Sequence, residues 1–173
     1  MENITRFTIA DLTKYTNQRS GEIKFGERIQ TLPPDADTFK ALKNSDAEFV
    51  LVGIPEDIGV RANYGRPGAA SAWESTLHSI VNIQHNKFCK GSRLLILGHI
   101  EVAETMREAA ALYSSSKDDR KKLSEMIEQI DKEVSHIICQ IVLAGKTPII
   151  IGGGHNNAYG NIKGVALAKG KPV

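Results

Sequence analysis

Two stretches of the sequence hold residues whose types and spacing suit chemistry. The first is Gly152-Gly153-Gly154-His155-Asn156-Asn157, which directly follows the apolar run Ile149-Ile150-Ile151. Three glycines allow a sharp turn with positive φ and no Cβ clash, so the His155 imidazole can stand at a strand's carboxyl end. In open α/β sheets that end is where ligands bind. Spacing alone leaves a second reading open, a glycine-rich connector with a solvated histidine. A phosphate loop is the third. It is disfavoured because G-x-G-x-x-G starting at Gly152 needs glycine where Asn157 stands, and no G-K-[ST] follows. The second stretch is Leu51 to Gly68, LVGIPEDIGVRANYGRPG, whose loop carries Asn63 and Arg66. Loops at strand carboxyl ends carry function, but Arg66 is equally suited to bonding loop carbonyls. His99-x-Glu101 is a weaker candidate. Alternate residues share a strand face, yet His99 reads as a surface or supporting histidine, not a ligand.

These residues need elements to hold them in place. Glu48 to Ile54 and Ser92 to Gly98 are apolar runs of the kind buried on both faces of a parallel sheet, as is Ile149 to Ile151. A helix is expected from about Ala69 to Ile80 and a shorter one from about Val102 to Leu112. After Ser114-Ser115-Ser116, an apolar stripe from Leu123 to Val142 recurs at helical spacing and stops at Gly145, a suitable left-handed cap. His136 lies off that stripe. A last helix runs from Asn157 to Lys169, with Gly160 and Gly164 allowing close packing, and Lys171-Pro172-Val173 reads as the start of a further segment. Strands alternating with helices make the chain an α/β protein. Residues 1–46 are read as an arm packed on the domain edge, with Asp35 or Asp37 capping a short helix.

Composition narrows the function classes. The chain has 173 residues, 41% hydrophobic and 24% charged, which suits one soluble domain with a core. A net charge of +2 argues against nucleic acid or an anionic membrane as partner. Cys89 and Cys139 lack C-x-x-C spacing and read as reduced thiols. Neither a signal peptide nor a membrane-spanning run is apparent, so the expected location is the cytoplasm.

Strand-GGGH-x-x-AYG-x-x-x-G resembles the first metal-binding motif of the arginase/agmatinase/formimidoylglutamase family (the ureohydrolases). Leu51 to Gly68 resembles that family's first strand and following loop. The GGGH and AYG spelling is most like the formimidoylglutamase branch. The resemblance implies a three-layer α/β/α fold with a parallel sheet, of which residues 47–173 supply the N-terminal half and the first three strands, in the order 2-1-3. It implies a hydrolase that cleaves the C–N bond of a small formimino or guanidino compound at two bridged Mn²⁺ ions. His155 would be a terminal ligand of one Mn²⁺, oriented by the amides of Gly153 and Gly154 and the side chain of Asn156 or Asn157. Asn63 and Arg66 would border the mouth. Relatives commonly carry Asp, Ser or Glu near Asn156 and Asn157, and Gly-Pro where Ala72-Trp73 stands.

The family's remaining ligands, an Asp-x-His-x-Asp set and a later Asp-x-Asp pair, do not occur in this sequence. At most a partial metal site is therefore expected, with no catalytic residue in the chain and no activity alone. A metal-free interaction protein on the same fold is the competing reading. The Ile149–Ile151 strand would be left as an open apolar edge. It is expected to pair in a homo-oligomer or to be covered by the arm.

Overall fold

The computed structural model describes residues 3–172. A four-stranded sheet forms its centre, in the order β1-β3-β2-β4. The three apolar runs become β2 (Phe49–Ile54), β3 (Leu94–Ile100) and β4 (Thr147–Gly152). β2 pairs in parallel with both of the others. Counting only these three strands, the order is 2-1-3. The N-terminal residues add a fourth, β1 (Ile4–Arg6), antiparallel to β3. The sheet is therefore mixed, not wholly parallel.

Helices cover both faces in three layers. α1 (Ile9–Tyr15) and α4 (Ala72–Ile80) lie on one side, where Leu12, Trp73 and Leu77 meet Leu51 and Ile96. On the other side α2 (Thr38–Asn44), α3 (Ile58–Ala62), α5 (Ala103–Ala110) and α6 (Lys117–Leu143) bury a larger cluster against Val50, Val52 and Ile54. β2 thus sends alternate residues into two cores, the period-2 consequence of burial on both faces. α6 starts where the Ser116 hydroxyl accepts the Asp119 amide and stops before Gly145, at φ +79°. Its stripe buries Leu123, Ile130, Val134, Ile137, Ile138 and Ile141. Each such side chain contributes about 1.5–3 kcal/mol when fully buried. α7 (Asn157–Ala168) lies along α6.

The register of β3 against β2 slips by one residue, pairing Leu51 with Ile96 but Val52 with Gly98. The extra residue inverts the side-chain alternation. Leu95 and Leu97 join the α6 core, and without the bulge His99 would follow them; instead Ile100 does, and His99 turns to the α4 side, its ring 6.2 Å from that of Trp73. Gly98 takes φ +128° there, and a Cβ would fall 2.0 Å from the Thr5 carbonyl oxygen. Only glycine fits.

The N-terminal segment does more than lie on the domain edge. Phe7, Leu12, Phe25 and Ile29 fill the core beneath α4, and Leu32 and Leu42 join the other. Asp37 caps α2, accepting the Lys40 amide at 2.8 Å. Covering of the Ile149–Ile151 edge by the arm does not occur: β1 closes the β3 side, and β4 pairs only with β2 among the described residues. Both cysteines are free and half-buried. Lys171 and Pro172 have no regular structure, and Val173 lies outside the described residues. No helix among the described residues is long and apolar enough to cross a membrane.

Candidate functional site

The corner after β4 is shaped by contact with β2. Gly152 takes φ +146°, and a Cβ there would meet the Ile54 carbonyl oxygen at 2.3 Å. Gly153 follows at φ +44°, and the chain then turns through His155 and Asn156 into α7. His155 sits exposed on this turn, at the carboxyl end of the parallel strands. Among the described residues no hydrogen bond reaches its imidazole.

The neighbours expected to orient His155 hold another side chain. Glu56, in the loop after β2, is fully buried. Its Oε2 accepts the Ile58 amide at 2.7 Å. Its Oε1 accepts the Gly154 amide at 3.0 Å, Asn157 Nδ2 at 2.7 Å and Asn156 Nδ2 at 3.3 Å. Gly154, Asn156 and Asn157, the residues expected to orient the imidazole, thus donate to a carboxylate that ties the corner to the β2 loop. Gly153 belongs to the same tight set, since a Cβ there would lie 2.6 Å from Glu56 Oε1. An ionised carboxylate is acceptor-only, which matches four N–H donors and no competing acceptor. Hydrogen bonds to a charged group contribute about 1.5–3 kcal/mol each, so this one side chain fixes the corner.

Two further acids frame the junction. Asp57, also buried, accepts the Gly68 amide at 2.6 Å and closes the loop between α3 and α4. Asp131 on α6 lies beside α7. Burial, and then the nearby Glu56 charge, push its carboxyl above its ordinary range, against the pull of Lys163. Its Oδ1 is buried without a hydrogen-bond partner.

Asn63 and Arg66 are exposed on the loop that Asp57 closes, and neither donates to the GGGH corner among the described residues. Arg61, in the last turn of α3, donates to the Leu112 carbonyl at 3.3 Å. His99 belongs to a different environment, beneath Trp73. Burial holds its pKa below the ordinary 6.5, and the Glu101 charge only partly offsets this. Glu101 itself accepts the Thr5 hydroxyl at 2.5 Å and the Ala103 amide at 3.1 Å, so the two residues do not form a ligand pair.

Sequence reasoning missed Glu56. Its partners lie about a hundred positions away, and the only local cue is a pair of acids, Glu56-Asp57, between Pro55 and the buried Ile58.

A metal pair does not fit the residues present. Among the described residues no three His, Cys, Asp or Glu side chains gather into a cage. His155 offers one imidazole, and both oxygens of the Glu56 carboxylate, which braces the same corner, are taken by N–H donors. One nitrogen donor does not hold two divalent cations.

Comparison with known proteins places the fold in a family. The model of the arginase family matches residues 47–173. A formimidoylglutamase of Geobacillus sp. (strain WCH70) is 31% identical over 122 residues, covering 70% of this chain and 31% of that protein. A formimidoylglutamase of Chromobacterium violaceum is 26% identical over 126 residues, covering 73% of this chain and 33% of its own length. The chain thus spans about a third of the length of the curated relatives it matches. The crystal structure of Trypanosoma cruzi formiminoglutamase with Mn²⁺ superposes with a TM-score of 0.52 at 18% identity, over 85% of this chain and 41% of that one. That likeness concerns the fold. With the family model spanning β2 to the end of the described residues, this chain belongs to the arginase family.

Proposed function

We propose that the chain is the N-terminal part of a manganese hydrolase that cleaves the C–N bond of a small formimino or guanidino compound. Formimidoylglutamate, giving glutamate and formamide, is the first choice of substrate, because the relatives in hand are formimidoylglutamases. Arginine or agmatine, giving urea, comes next. The observation that carries this reading is the exposed His155 on a corner braced by Glu56, at the carboxyl rim of a parallel sheet. In this role His155 supplies one nitrogen ligand, Gly153 and Gly154 form the turn that presents it, and Asn156 and Asn157 secure that turn through Glu56. Asn63 and Arg66 border the substrate mouth from the neighbouring loop.

Manganese, when bound, would supply an activated water, and its carboxylate ligands must come from elsewhere. The 173-residue chain alone is therefore inactive on this reading. The protein works in the cytoplasm on a small molecule, with neither nucleic acid nor membrane as partner. It forms homo-oligomers in which the free β4 edge is covered, a point that sedimentation at several concentrations checks: a concentration-independent monomer contradicts it.

The decisive assay measures formamide from formimidoylglutamate, and urea from arginine and agmatine. It is run on this chain and on the chain joined to the remaining two-thirds of a formimidoylglutamase relative. Release by the longer form only, lost in His155→Ala, supports the proposal. Release by the short chain that survives His155→Ala overturns it. A longer form with neither metal nor activity points instead to a metal-free interaction protein.

A further inference from the structure

A cavity of about 360 Å³ lies apart from the GGGH corner, between α1 and α4 above the carboxyl ends of β2 and β3. That is within the usual size range of small-molecule sites. The bulge at Gly98 opens onto it, because the inverted register sends His99 into its lining. Bulges recur beside sites where they re-aim a side chain.

The cavity's chemistry is one-sided. Phe7, Tyr15 and Trp73 supply aromatic walls, and Asp11 and Glu74 bring carboxylates. Among the described residues neither acid has an ion-pair partner. Asp11 accepts the Thr8 amide and hydroxyl through Oδ2, so its bonds leave Oδ1 unused. Arg6 borders the cavity, but its guanidinium is turned to the opposite face of the sheet, on the carbonyls of Pro33, Pro34 and Ala36. The hydroxyls of Thr5 and Ser71 are committed to Glu101 and to the Gly68 carbonyl. What remains is two carboxylates, three aromatic side chains and the His99 imidazole, whose charged form burial disfavours. Outside the lining, the Lys14 ammonium stands 5.4 Å from the Tyr15 ring centroid.

We propose that this cavity binds a small organic cation, a primary ammonium or a guanidinium, held by Asp11 and Glu74 against the faces of Tyr15 and Trp73. The site is independent of His155, which follows β4 on the other side of β2.

Trp73 is the chain's single tryptophan, so its fluorescence reports on the cavity directly. The probes are n-butylammonium, n-butylguanidinium, n-butanol and butyrate, titrated into the full chain. Saturable fluorescence changes are expected for both cations, at least about tenfold weaker for butanol, and absent for butyrate. Added salt weakens the cations and leaves butanol unchanged. Glu74 is exposed and makes no hydrogen bond among the described residues, so Glu74→Gln folds normally and weakens cation binding severalfold. Glu74→Lys abolishes it. Butanol binding as tightly as butylammonium, cation binding indifferent to salt, or no response to either cation overturns the proposal. Undiminished binding to Glu74→Lys does the same.

Discussion

Two histidines stand at the carboxyl ends of parallel strands in this molecule, and their surroundings give them opposite characters. His155, past the end of β4, is exposed on a turn whose backbone is fastened from beneath by a buried carboxylate. His99, within β3, is half-buried under Trp73, where desolvation disfavours its charged form. The first is free to offer a lone pair to something arriving from solvent. The second is half-buried and faces the cavity between α1 and α4. Position at a strand end is thus not enough to make a ligand. The bracing below a side chain and the surroundings above it decide: Glu56 fastens the turn under His155, while the Gly98 bulge turns His99 toward Trp73.

This contrast can be broken at several points. Glu56→Ala leaves four N–H donors without their acceptor and should cost about 3–5 kcal/mol in urea denaturation, with Glu56→Gln losing less because one carbonyl oxygen remains. If Glu56→Ala were neutral, the corner would not depend on that carboxylate. Gly152→Ala combines a left-handed φ with a collision on the Ile54 carbonyl and should lose about 3 kcal/mol. His155→Ala, by contrast, removes an exposed side chain without partners and should change stability by less than about 0.5 kcal/mol.

The buried histidine is separated from the exposed one by pH. Unfolded, His99 takes up a proton near the ordinary 6.5; folded, it does so only at lower pH. Between those two values the unfolded chain binds more protons, so acidification through that window destabilises the fold. His99→Gln should flatten the stability slope there, measured by thermal melts across the window. Asp131→Asn gives the smallest effect. The folded state raises that carboxyl's pKa, so its neutral form is favoured at low pH and the advantage is lost as pH rises through the folded value. The asparagine, always neutral, should raise the neutral-pH melting temperature slightly and change nothing in acid.

Much of this arrangement is legible in the sequence. The β-branched run before Gly152 and the apolar stretches at Phe49 and Leu94 announce buried strands, and the stripe from Leu123 to Val142 announces α6. These are period signals carried by many residues at once. What stays hidden depends on partners distant in the chain. Glu56 looks like a solvated loop acid until the fold brings Gly154 and Asn157 to it. β1 has only three residues, too few for a pattern, and pairs with β3 far along the chain. The orientation of His99 depends on one slipped residue, which leaves no periodic trace beyond a glycine.

The most direct measurement is Mn²⁺ titration of this chain, followed through the ring-proton signals of its five histidines by NMR. Weak, non-stoichiometric binding is expected, which broadens His155 first, leaves His99 sharp and disappears in His155→Ala. Broadening of His99 ahead of His155, or tight stoichiometric binding that persists in His155→Ala, would contradict it.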